Sequence, residues 1–178
     1  MSRHKDQEGG TSDTPMDRTG IRERVKESIS SMKQHQLGLN YDVGLVPPDQ
    51  IPYIWDQVEG HLERMAPHSE GELEPDDFMA ALEDGDMQLW IALKEKEIAA
   101  SMITQIVPYP RKRVLRIISI AGEDMDKWIN NLYMIEDWAL EHGCTSLECW
   151  GRKGWLKVLK DWKCSYHIIT KDLKGRMH

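Results

Sequence analysis

The residues best placed to do chemistry lie near the C-terminal end of the chain. Arg152-Lys153-Gly-Trp155-Leu-Lys157-Val-Leu-Lys160-Asp-Trp162-Lys163 interleaves bases with apolar side chains. Lys153, Lys157 and Lys160 fall on one helical stripe, while Trp155, Val158, Leu159 and Trp162 form the opposite, apolar side. Such a stripe, with Arg152, suits a phosphate or an acidic protein surface, so DNA contact enters as one expectation. With the indoles turned inward, the stacking platform of a single-strand binder is not expected. Other chemistry is sparse. The histidines at 4, 35, 61, 68, 142, 167 and 178 lack ligand spacing, so no metal is expected and each histidine reads as a surface residue. Cys144, Cys149 and Cys164 make an odd set without a CxxC, which reads as free thiols in a reducing compartment. Cys149, in an apolar strand, reads as an inert small core residue. Gly151-Arg-Lys-Gly154 lacks the spacing and the Ser/Thr of a phosphate-binding loop.

The elements that must position these residues follow from periodicity. The 178 residues are 40% apolar, enough for one domain with tails. Residues 1–18 are polar and rich in Gly, Ser and Thr, and have no apolar run of the kind a secretory signal needs. Thr19 reads as an N-cap, and Ile21, Val25, Ile29 and Met32 then share one helical face that Gly38 would end. Residues 1–38 are therefore expected to be an arm outside the core, with a short helix at about 20–37. Its stripe of Ile21, Val25, Ile29 and Met32 is expected to grip a protein partner or a second copy. No stretch of eighteen apolar residues exists, so no membrane span is expected.

The core is expected over 39–174, with 175–178 as a tail. Val43–Val46 reads as a strand, followed by helices at 48–65 and from Pro75, where Pro suits the first turn. Strands follow at 87–93, 98–107 and 114–120, joined by tight reversals. A long helix at 124–142, a strand at 145–150, a basic helix at 154–162 and a last strand at Tyr166–Thr170 complete the series. Net charge is −7 but unevenly spread. Residues 56–97 carry thirteen acids and three bases, and residues 151–178 eight bases and two acids, so the two regions suit differently charged partners.

This order of elements resembles the GNAT N-acetyltransferase fold over about residues 40–174. The resemblance implies an α/β domain with a mixed, mostly antiparallel sheet flanked by helices. Trp138-Ala-Leu-Glu-His-Gly-Cys-Thr-Ser-Leu-Glu-Cys-Trp-Gly-Arg-Lys-Gly-Trp155 is similar to the corresponding segment of GNAT-like proteins encoded by tailed bacteriophages. That likeness implies a virion or virion-assembly component, made in the host cytoplasm, whose partners are virion proteins or its own copies. In active members, an (Arg/Gln)-x-x-Gly-x-(Gly/Ala) loop before the long helix offers backbone N–H groups to the pyrophosphate of acetyl-CoA. The matching residues here are Ala121, Gly122, Glu123, Asp124 and Met125, with one glycine and, counting Asp126, three carboxylates. Like charges repel a polyanion, so the site is expected to be degenerate and no cofactor is expected. If the chain is an enzyme, acetyl-CoA is its cofactor and a small-molecule or protein amine its acceptor. The Tyr that often protonates the leaving thiolate is replaced by Leu159, Tyr166 falls on the next strand, and Glu136, Asp137 or Glu148 would have to act as base.

Overall fold

The structure, a computed structural model, describes residues 18–31, 41–65, 73–151, 153–165, 169 and 171. A helix α1 (Arg18–Ser31) precedes strand β1 (Asp42–Val46). A 3₁₀ turn at Pro48–Gln50 leads into α2 (Ile51–Met65), and α3 (Pro75–Glu83) follows. Then come β2 (Gln88–Lys94), β3 (Glu97–Tyr109) and β4 (Lys112–Gly122). The chain continues through α4 (Met125–Trp128), a 3₁₀ stretch (Ile129–Leu132), α5 (Tyr133–Glu141), β5 (Ser146–Cys149) and a 3₁₀ turn (Lys153–Lys157).

The five strands lie in sequence order, antiparallel from β1 to β4, with β5 parallel to β4. This is the mixed, mostly antiparallel sheet that the sequence implied. The β2–β3 reversal is made by Glu95 and Lys96, both at positive φ (51° and 68°), with Lys94 facing Glu97. Two left-handed residues match the twist of a two-residue hairpin. At α3, Pro75 opens the helix, and the Glu74 backbone N–H donates to the Asp77 carboxylate at 2.9 Å, half of a capping box.

Alternation along the strands divides the core into two apolar layers. Leu89, Ile91 and Leu93 join α2 and α3 on one face, through Ile54, Val58, Leu62, Phe78 and Leu82. Trp90 and Ala92 face the other way, with Leu115, Ile117, Trp128, Ile135 and Leu159.

Three expectations are corrected. First, the helix of the arm belongs to the core. Val25 and Ile29 are 2% and 3% exposed and pack with Val46, Ile51 and Ile54, with Ile21 partly buried beside them. The approach is close, since a Cβ on Gly44 would meet the Ile29 side chain at 2.7 Å. Arg22 reaches Asp56 of α2 at 2.5 Å, and the buried Lys26 lies 3.6 Å from Glu97. An amphipathic helix too short to stand alone gains its stability from the nearest apolar surface, here its own domain. Met32 and Gly38 lie outside the described residues. Second, the helix expected at 124–142 is broken by its 3₁₀ stretch, where the buried Asn131 side chain donates to the Tyr41 carbonyl at 3.1 Å. Third, the helix expected at 154–162 is only a 3₁₀ turn, although Trp155, Val158, Leu159 and Trp162 do turn inward. The strand expected at Tyr166–Thr170 falls, apart from Ile169, outside the described residues.

Ile29→Ala removes a buried side chain from a tight contact and is expected to lower stability by about 2–4 kcal/mol. Chemical denaturation would show it as a lower midpoint, whereas an unchanged midpoint would place α1 outside the folding unit.

Candidate functional site

The sheet opens between β4 and β5. The two strands pair from Val114↔Ser146 to Ile117↔Cys149 and no further. At that point β4 carries a bulge: Thr104 of β3 faces Ile117, Ile103 faces Ser119, and Ile118 is left without a partner. Residues 119–122 of β4 then pair with β3 alone, and the chain turns into α4.

That turn is the one singled out by its resemblance to a pyrophosphate loop. Gly122 (φ +136°) lies against β3, where a Cβ would meet Ala100 Cα at 2.4 Å and the Ala99 oxygen at 2.5 Å. Only glycine fits. The Glu123 backbone N–H donates to the Ala99 carbonyl at 2.9 Å, so this N–H is already spent. Asp124 is left-handed (φ 53°), and its carboxylate accepts from the Tyr41 hydroxyl, Lys94 Nζ (3.1 Å) and Lys127 Nζ (3.0 Å). These hydrogen bonds hold the Asp124 carboxyl far below the usual carboxylate range and raise both lysines above theirs. Trp128 Nε1 donates to the Glu123 carbonyl at 3.0 Å, tying the turn to the helix below it. The positions Ala121 to Met125 are thus brought together as a turn, filled by its own carboxylate.

A polar group expected on the surface lies on the buried side of α2. His61 is 7% exposed, with Nδ1 3.2 Å from Ser101 Oγ on β3. Burial lowers its pKa, helped by Arg64 and opposed by Glu123, so the ring is neutral at pH 7. Its signal in the sequence was position, since His61 falls on the apolar stripe of Ile54, Val58 and Leu62. On β4, Ser119 Oγ is buried and has no hydrogen-bond partner among the described residues.

The other candidate residues lie apart. Glu148 is held by Arg116 (Nε 2.9 Å), Trp150 Nε1 (2.8 Å) and the Tyr109 hydroxyl (3.3 Å), and Arg116 stacks on the Trp150 ring at 4.0 Å. The Glu148 oxygens are thus taken up by three donors from the chain itself. Glu136 and Asp137 are exposed on α5. Leu159, where a Tyr would serve catalysis, is 5% exposed and packs in the core. Lys157 and Lys160 are exposed, Lys153 opens the last 3₁₀ turn, and Arg152 lies outside the described residues. Burial pushes the Cys149 thiol up to about 11 and raises that of Cys144, which disfavours the thiolate form. Among the described residues no group of side chains could hold a metal ion, and no helix is long and apolar enough to cross a membrane.

The overall arrangement of the chain, a mixed five-stranded sheet flanked by helices, is similar to that of solved acetyltransferases. The fold is GNAT-like. An aminoglycoside acetyltransferase from an uncultured soil metagenomic sample superposes with a TM-score of 0.56 at 10% identity, over 77% of this chain and 97% of that one. A ribosomal-protein-alanine N-acetyltransferase from Brucella melitensis biovar Abortus 2308 gives 0.52 at 16%, over 74% and 99%. A Trypanosoma brucei acetyltransferase gives 0.53 at 11%, over 75% and 99%. No family model and no curated protein matches the sequence. At these identities the likeness concerns the GNAT-like fold alone.

His61 has a testable consequence. Its folded pKa lies below the unfolded value near 6.5, so the unfolded chain binds the extra proton. The stability it leaves intact is complete above pH 6.5 and declines as pH falls below that value, well before carboxylates such as Asp124 protonate. Denaturation midpoints measured from pH 7.5 to 5 are expected to fall, and to fall less in His61→Asn. Equal slopes for the two proteins would show that the ring does not titrate with unfolding.

Proposed function

We propose that this chain is a non-catalytic GNAT-fold binding protein, its acetyl-CoA site made degenerate by the side chain of Asp124. The observation that carries the reading is that carboxylate, seated in the turn with Tyr41, Lys94 and Lys127 on it. An incoming pyrophosphate would have to displace Asp124 from three donors beside the exposed Glu123 and Asp126. The likeness of residues 138–155 to tailed-phage proteins supports a finer form of the proposal: a virion or virion-assembly component, made in the host cytoplasm and binding virion proteins or its own copies. The stripe of Ile21, Val25 and Ile29 is engaged by its own domain, so that contact must use another surface.

A second reading, an N-acetyltransferase acting on a small-molecule or protein amine, is favoured by the opening between β4 and β5 and by the neutral, anchored His61 close to it. Acetyl-CoA would be its cofactor. The residues of the turn do not fit the pyrophosphate, so no step is assigned through it.

Calorimetric titration with acetyl-CoA separates the two. The natural chain is expected to show no saturable binding up to about 1 mM, equivalent to less than about 4 kcal/mol. Asp124→Ala frees Lys94 and Lys127 and is expected to bind measurably. Micromolar binding by the natural chain, with acetyl transfer to an amine, would establish the enzyme instead.

A further inference from the structure

The proposed binding role needs a surface, and the tip of the β3–β4 hairpin supplies one. From Ile98 to Gly122 the chain carries four bases, Arg111, Lys112, Arg113 and Arg116, and no acid, within a protein of net charge −7. Tyr109 pairs with Lys112 across the hairpin, and Arg111 lies in the turn between them. Arg111, Lys112 and Arg113 are all exposed. Two aromatic rings stand beside these bases. Lys112 Nζ lies 5.1 Å from the centre of the Tyr109 ring. The Arg116 guanidinium lies 4.0 Å from the centre of the Trp150 ring, and Trp150 is 54% exposed.

One polar network holds the two rings together. Arg116 donates to the Tyr109 hydroxyl at 2.8 Å and to Glu148 at 2.9 Å, and Trp150 Nε1 donates to Glu148 at 2.8 Å. The rings therefore share one face of the sheet. That face is turned away from α5, because Leu115 and Ile117, on either side of Arg116, pack with Ile135 and Ala139. Glu136, Asp137 and Glu141 of α5 thus belong to the opposite face, as does Arg113, whose Nη1 donates to the His142 carbonyl at 3.1 Å. Glu148, the carboxylate within the network, is spent on Arg116 and has a side chain only 14% exposed. Arg111 and Lys112 have no ion-pair partner among the described residues. Charge and ring together narrow the occupant. Exposed bases attract any polyanion, but a cation layered on an exposed indole adds a surface that flat rings use best. A single strand offers phosphates to Arg111 and Lys112 and an unstacked base to Trp150. A duplex keeps its bases stacked, and an acidic peptide answers only the bases.

We infer that the β3–β4 hairpin and Trp150 form a binding surface for single-stranded nucleic acid. The inference deepens the binding reading given above and rests on it. It is tested by fluorescence anisotropy of a labelled oligothymidylate titrated with the full chain. Saturable binding is expected, with a log–log salt slope of about −1.4 to −2.1, the value for two or three phosphates contacted. Arg111→Glu with Lys112→Glu is expected to weaken binding about tenfold or more and to flatten that slope. Trp150→Ala is expected to weaken it about fivefold or more with the slope unchanged, and Trp150→Phe to restore most of the loss. Absence of saturable binding at about 0.05 M salt would overturn the inference. So would a loss confined to Lys157→Glu with Lys160→Glu, which would place the contact at the C-terminal lysines. Equal binding of a poly-glutamate peptide of matched charge would overturn it too and make the surface a dock for acidic proteins. Binding of a duplex as tight as that of the single strand would do the same, since a paired base cannot stack on Trp150. Acetyl-CoA titrated into the same samples keeps the two readings apart. Failure of the oligonucleotide leaves the closed cofactor turn standing, whereas acetyl-CoA binding that survives Arg111→Glu with Lys112→Glu overturns that turn whatever the oligonucleotide does.

Discussion

The carboxylate of Asp124 ties together parts of the chain that sequence keeps far apart. Tyr41 stands just before β1, Lys94 ends β2, and Lys127 lies in the first helix after β4, yet all three donate to this one group. The residue itself is left-handed, a conformation that Asp tolerates better than most side chains. Around it the main chain is also held, by Glu123 on Ala99 and by Trp128 on Glu123. A surface ion pair alone contributes little. Here several short hydrogen bonds converge on one acceptor, and the order they impose is worth more than any single pair. The same order fills the turn between β4 and α4 with the chain's own donors and acceptor.

Much of this architecture was legible in the sequence because it rests on period. Strands β1 to β5 were placed to within about two residues by alternation and by their turn residues. Where the sequence misled, the competing force was tertiary. The stripe of α1 could not be told from a partner-binding face, because its own groove is assembled from β1 and α2, remote in the chain. The break between α4 and α5 depends on Asn131 finding the Tyr41 carbonyl, a contact across ninety positions that no window detects. The strand-to-helix turn is marked in the sequence by Gly122, yet two of the three donors on Asp124, Tyr41 and Lys94, come from distant elements and carry no local signature.

His61 and Ser119 show the opposite case, polar groups that the packing takes in. Ser101 satisfies one side of the His61 ring, and burial keeps that ring uncharged. Ser119 follows the bulge at Ile118, so its placement results from the two-against-one geometry there and not from any preference of serine for the interior. His61 reaches from α2 onto Ser101 of β3, and Ser119 lies on the part of β4 that has lost its second neighbour.

The irregularity between Ala92 and Leu93 has a wider reach than its size suggests. It leaves Ala99 without a partner on β2, and Ala99 is the residue whose carbonyl receives the Glu123 N–H across the other side of β3. The hairpin therefore sets both the main-chain anchor of the turn and, through Lys94, one of its charges. Lengthening that hairpin by a single residue would swing Lys94 to the opposite face and move the Ala99 carbonyl with it. The loop at 95–96 and the turn at 122–124 are thus mechanically one unit, and in related sequences their lengths should change together or not at all.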